Sequence, residues 1–293
     1  MEDFNNLQVD RKGMVSTSGV PHASDIRRAA REALGGKWKT ALKVAAVVCL
    51  AASLLSLLLN LANDWYVLSN MNAAPEFGEE PRSLLLDLLT MVVNLFTSAL
   101  YAIVLARIAR AAAGGTELNF GALRFEKGGV FKAVRVELVL MWRAAFLPLL
   151  IGTICAGIAG ALVFSLNESE GIRMIFVSAV LIVVTVVIFM RMLYYAPIYQ
   201  MAVICPEASA REIGNRTKAM MRGQRWRLFC LNMSFFGWNA LLVLINLLAQ
   251  RLFAERLMVY SCWIFISNFM ILPLNVYMQT ALAVFVNDLL ARR

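Results

Sequence analysis

The chain has 293 residues, is 60% hydrophobic and 16% charged, and carries a net charge of +9; its mean hydropathy is +0.68. Soluble domains are roughly 45–50% apolar and about 25% charged, and a soluble chain this apolar could not cover its surface with polar groups. Composition therefore excludes an ordinary soluble fold and points to a lipid bilayer.

Residues 1–23 are polar and read as a disordered cytoplasmic tail, without a signal peptide. Residues 24–293 read as a single membrane domain. Ser24 is placed to cap a short amphipathic helix over residues 25–34, with Ile26, Ala29, Ala30, Ala33 and Leu34 opposite Arg27, Arg28 and Arg31. Such a helix is expected to lie in the membrane interface, its basic face among the headgroups. Six runs without a charged residue follow, at 44–62, 88–106, 144–167, 174–190, 228–250 and 257–287. A helix needs about 20 mostly apolar residues to cross a hydrocarbon core of about 30 Å. Backbone groups cannot go unpaired in lipid, so the runs are predicted to be six transmembrane helices of an all-α polytopic membrane protein. A second amphipathic helix is predicted at 210–222, where Ser209 and Glu212 form a capping box.

Charge sets the expected orientation. Arg11, Lys12, Arg27, Arg28, Arg31, Lys37, Lys39 and Lys43 precede the first span. Arg107, Arg110, Arg124, Lys127, Lys132 and Arg135 separate the second and third. Arg211, Arg216, Lys218, Arg222, Arg225 and Arg227 separate the fourth and fifth, and Arg292 and Arg293 follow the sixth. The alternate loops hold only Arg82, Arg173, Arg251 and Arg256. Both termini are therefore expected in the cytoplasm. The basic residues hug span ends, where they meet anionic lipid headgroups; this explains the charge without nucleic acid.

An element recurs ahead of each odd-numbered span. Gly35-Gly36-Lys37-Trp38-Lys39, Gly128-Gly129-Val130-Phe131-Lys132 and Gly223-Gln224-Arg225-Trp226-Arg227 share the pattern Gly-x-x-aromatic-basic. Recurrence at the same place in each helix pair marks three two-helix repeats, each preceded by a cytoplasmic interfacial segment. The aromatic ring is expected at headgroup level and the basic residue against phosphate. Gly35, Trp38, Lys39, Gly128, Phe131, Lys132, Gly223, Trp226 and Arg227 thus form a predicted membrane-interface collar.

Polar residues inside or beside the spans are the other candidates. Arg143 and Arg191 adjoin apolar runs and are expected to snorkel to the inner interface, the alternative being a buried ion site. Asn232, Asn239 and Asn246 recur at heptad spacing on the fifth span, Asn268 and Asn275 on the sixth, with Gln279 one turn later. Each set shares a face. They read as interhelical hydrogen-bonding groups, or alternatively as a polar path for a substrate between spans five and six. Gly152, Ala156 and Gly160 form a small-residue ladder for close packing. Pro148, Pro197 and Pro273 are candidate kinks.

Catalytic chemistry has no visible carrier. His22 is the one histidine, so no His-dependent triad or His-rich metal site can be assembled. The five cysteines are dispersed, without a C-x-x-C pair. No phosphate-binding glycine loop occurs. The expectation is a non-enzymatic scaffold or accessory protein without a cofactor, acting through lipid or partner contacts, with a small transporter or lipid-translocating protein as the alternative.

Ala30-Arg31-Glu32-Ala33-Leu34-Gly35-Gly36-Lys37-Trp38 resembles the N-terminal signature of the bacterial integral membrane proteins grouped as domain of unknown function 975. Met221-Arg222-Gly223-Gln224-Arg225-Trp226-Arg227-Leu228-Phe229, then Ser234-Phe235-Phe236-Gly237-Trp238, is similar to its most specific stretch. Pro273, Tyr277, Thr280, Ala281, Phe285, Asp288 and Leu289 match near the end. The resemblance implies a bacterial plasma membrane and brings no catalytic residues. Mitochondrial carriers also have three two-helix repeats, but their Pro-x-acidic-x-x-basic signature does not occur here.

Overall fold

The computed structural model describes residues 21–70, 84–116, 118, 120–123, 128–146, 148–154, 157, 170–253 and 257–292. Among these, every regular element is helical. In chain order they are α1 (Ala23–Leu34), α2 (Trp38–Asn70), α3 (Leu84–Ala113), a 3-10 turn at Phe120–Leu123, α4 (Gly129–Leu140) and a π-helical segment at Met141–Phe146. Then come α5 (Glu170–Tyr195), α6 (Ile198–Ile204), α7 (Ala210–Met220), α8 (Arg225–Met233), α9 (Phe236–Phe253) and α10 (Leu257–Ala291).

Five stretches of the described residues are long and apolar enough to cross a membrane: Trp38–Asn63, Leu84–Ala113, Ser178–Ile204, Phe236–Phe253 and Cys262–Ala291. They correspond to the first, second, fourth, fifth and sixth predicted spans. The third predicted span lies mostly outside the described residues, as do Ala156 and Gly160 of its small-residue ladder. The fifth is not the single helix expected over 228–250. It breaks at Ser234 and Phe235, between α8 and α9. There the Ser234 hydroxyl donates to the Leu231 carbonyl at 2.6 Å, competing with the helical ladder.

The chain divides into two compact units. The first combines residues up to Val134 with Cys230–Arg293; the second is Arg135–Phe229. In the first unit α2, α3 and α10 pack on one another, α1 packs on α10 and α3, and α9 packs on α10. α10 is its central post: Thr280 through Leu289 are buried on every face. In the second unit α7 packs on α5 and α6, and the π segment packs on α5.

The amphipathic helices differ from expectation in what covers them. Ile26, Ala30 and Leu34, the apolar stripe of α1, are buried against protein, because α1 docks on α10 and α3. The Tyr277 hydroxyl on α10 donates to the Arg27 carbonyl at 3.1 Å. α7 likewise buries Ile213, Gly214, Thr217 and Met220. These stripes therefore do not face lipid. α1 also starts earlier than predicted. His22 is its N-cap, its backbone N–H donating to Asp25 Oδ2 at 3.0 Å, so Ser24 sits inside the helix. At α7 one half of the predicted box forms: Ser209 Oγ accepts from the Glu212 N–H at 3.3 Å, while the Glu212 carboxylate accepts from Arg216 at 2.6 Å.

Candidate functional site

Uncharged polar side chains from α2, α3 and α10 converge at mid-span in the first unit. They line a cleft of about 350 Å³ formed by Cys49, Ala52, Ser53, Ser56, Asn94, Thr97, Ser98, Tyr101, Asn268, Ile271 and Asn275. All but Ala52 and Ile271 carry a polar atom, and none is charged. At 1.5 Å per residue, Ser53 lies about 14 Å from either end of the charge-free run 44–62, and Ser98 about 15 and 12 Å from the ends of 88–106. Both depths are near the middle of a hydrocarbon core of about 30 Å.

The lining is internally hydrogen-bonded yet keeps capacity. Asn268 Nδ2 donates to Ser53 Oγ at 3.1 Å, Asn275 Nδ2 to Tyr101 Oη at 3.2 Å, and Ser56 Oγ to Asn94 Oδ1 at 3.2 Å. Cys49 Sγ donates to the Asn268 backbone carbonyl at 3.6 Å. Among the described residues this leaves the Asn94 amide N–H donors and the Asn268 and Asn275 side-chain carbonyls available to a guest. Toward the ends that carry the basic loops, the same helices close in an apolar cluster containing Val44, Ala45, Val104, Leu105, Ile108 and Val276.

Of the five asparagines singled out from the sequence, only Asn268 and Asn275 of the sixth span belong to this cleft. Asn239 on α9 turns to the Phe235 carbonyl at 3.2 Å and the Met278 sulfur at 3.8 Å. Asn246 accepts from Trp263 Nε1 at 3.1 Å, and Asn232 sits on α8 beyond the break. The partners of Asn268 and Asn275 are thus spans one and two, not span five.

The collar glycines share a local conformation with one offset. Gly128 and Gly223 have φ of 85° and 76°, and in the first copy Gly36, not Gly35, takes this role with φ of 74°. Gly35 is constrained separately, since a Cβ there would stand 2.9 Å from the Glu32 carbonyl oxygen. A new helix starts within each copy, at Trp38, Gly129 and Arg225. The aromatics diverge: Phe131 and Trp226 are 66% and 69% exposed, whereas Trp38 packs on the core cluster, its ring 6.3 Å from Tyr277. Lys39 is exposed and Lys132 half-buried. Arg227 Nη1 donates to Gln224 Oε1 at 2.9 Å.

These signature stretches fall within a match over residues 21–293 to a family model described as protein of unknown function (DUF975). The chain belongs to the DUF975 family. Neither a curated protein nor a solved structure matches it.

In this DUF975 chain the two candidate arginines have different settings. Arg143, on the π segment, donates from Nη1 to Asn215 Oδ1 on α7 at 2.7 Å. Gly214 makes room for it, because a Cβ there would lie 3.1 Å from Arg143 Nη1. Arg191 is exposed on α5. Nearby on α7, Arg216 donates to Glu212 at 2.6 Å, a bond that raises the guanidinium pKa above its ordinary value and keeps it cationic. The sequence reading missed Cys49, Ser53, Ser56, Asn94, Ser98 and Tyr101. Their signal was present: positions 49, 53 and 56, and 94, 98 and 101, each follow i, i+4, i+7, one helix face.

Proposed function

We propose that this protein binds a small uncharged polar solute in the cleft between α2, α3 and α10 and provides its route across the membrane. The observation that carries the reading is a mid-span lining of hydroxyl and amide groups without a charge. Polar groups at this depth are costly unless satisfied. A bare ion would find no countercharge here, whereas a hydroxylated or amide solute would find both donors and acceptors. A cleft of about 350 Å³ is at the small end of ligand sites, roughly 300–1,000 Å³. The apolar cluster toward the basic loops acts as the closed side. Nothing in this reading requires a reaction or cofactor. The distribution of basic loops supports an orientation with both termini in the cytoplasm, and the family resemblance supports a bacterial plasma membrane.

The test is glycerol entry into proteoliposomes, followed by stopped-flow light scattering. Wild-type protein should accelerate entry over protein-free vesicles, and Asn268→Leu should lower the protein-dependent rate at least tenfold. Wild-type vesicles no faster than empty ones with either glycerol or urea would refute it. A second reading, a scaffold acting through lipid and partner contacts, is favoured by the outward-facing Phe131 and Trp226. A protein without flux whose lipid contacts persist would establish that one.

A further inference from the structure

The second unit contains a cleft of a different character. It has a volume of about 300 Å³ and is lined by Met190 and Leu193 of α5 and by Gly223, Arg225, Trp226 and Phe229. Its walls are apolar and aromatic, and Arg225 is its one charge. The guanidinium is held in place, its Cζ 4.2 Å above the Tyr194 ring centroid. Stacking on tyrosine fixes an arginine without neutralising it. Trp226 stacks on Phe229 with centroids 5.1 Å apart, and Phe229 meets Phe189 edge-on at 6.1 Å. Gly223 enters with φ of 76°, a conformation that only glycine adopts without cost.

Two features select the occupant. The lining contains no acidic side chain, so the fixed cation calls for an anion. The apolar wall also continues onto the exposed face of α5, where Ile182, Val183, Val186 and Met190 are uncovered in a stretch apolar enough to span a membrane. A guest must therefore be anionic at one end and continuous with lipid at the other. We propose that this cleft is a binding site for one anionic glycerophospholipid, its phosphate beside Arg225 and an acyl chain along Trp226, Phe229, Met190 and Leu193. Aromatic residues at a membrane interface suit such a boundary, and basic pockets at span ends take acidic headgroups. The site is separate from the mid-span cleft and stands independently of solute binding there.

The experiment uses the full chain in nanodiscs containing phosphatidylglycerol and phosphatidylcholine in equal amounts. Retained lipid is counted by native mass spectrometry after extraction. Wild-type protein should keep one phosphatidylglycerol in preference to phosphatidylcholine. Arg225→Ala should reduce that preference about fivefold, the factor one charge near the surface contributes. Arg211→Ala, which removes the same charge from an exposed position on α7, should leave it unchanged. Arg225 is exposed, and thermal melts of the variants establish that they are folded. Free sn-glycerol 3-phosphate at millimolar concentration should not displace the lipid. Displacement would make this a phosphate site instead of a lipid site. Equal retention of the two lipids by wild type, or equal losses in the Arg225 and Arg211 variants, would overturn the proposal.

Discussion

Replacing Ile26 with alanine removes three carbons from a side chain that is 1% exposed. At about 0.8 kcal/mol per buried methylene, transfer alone costs about 2.4 kcal/mol. Incomplete closure of the cavity takes comparable substitutions to about 2–5 kcal/mol. The cost falls on docking of α1 against α10 and α3, so it appears as local opening of α1. Hydrogen exchange on the detergent-solubilised protein reads that opening directly. A loss of about 2.4 kcal/mol should accelerate exchange across α1 about fiftyfold. The control is Leu58→Ala on α2, where the side chain is 63% exposed. Lipid and detergent tails are as apolar as leucine, so little is lost there. If α1 amides in the wild type exchange as in a free helix, or if the two variants behave alike, α1 is not docked. Its apolar stripe would then lie in lipid, as in an isolated interfacial helix.

Gly223→Ala forces a side chain into a left-handed conformation and should cost about 1–2 kcal/mol, whereas Gly237→Ala, where a Cβ would meet nothing within 4 Å, should be neutral or gain up to about 1 kcal/mol of helix propensity; chemical denaturation compares the two. Gly214→Val should crowd Arg143 away from Asn215 and lower thermal stability, and Asn215→Ala should remove most of that difference in a double-mutant cycle. A cysteine introduced at Gly78 should react with an impermeant reagent in intact cells while one at Gly121 should not. The reverse pattern would invert the orientation.

The spans were legible because lipid leaves the backbone few solutions: charge-free runs of sufficient length at 44–62 and 88–106 could only become the helices α2 and α3. The recurring Gly-x-x-aromatic-basic pattern singled out Gly128 and Gly223, which take left-handed conformations, although the doublet Gly35-Gly36 hid which glycine turns the chain. Tertiary partners were not legible. An amphipathic stripe such as Ile26, Ala30 and Leu34 has the same pattern whether lipid or a neighbouring helix covers it. Heptad spacing placed Asn239 and Asn246 on one face, but could not reveal that Phe235, Met278 and Trp263 would meet them. Drawing the polar path between the fifth and sixth spans rested on the asparagine faces that both carry. The cleft instead draws on α2 and α10, which are distant in sequence and near in space. Its serines and Cys49 were passed over because each is mildly polar alone. Their meaning came from convergence.

The hydrogen bond between Asn268 and Ser53 joins residues 215 positions apart. At synthesis rates of about 5–20 residues per second, Ser53 emerges roughly 10–40 s before its partner exists. α3 joins α2 early in that interval, and the two then wait as an incomplete set, their polar faces turned to lipid or to temporary company, while the whole of Arg135–Phe229 is made and inserted. The unit completed last is therefore the one whose first helices were made first. A ribosome stalled before α10 would leave a membrane-inserted fragment in which Ser56 has already met Asn94 on α3, while Ser53 has no Asn268 to accept from.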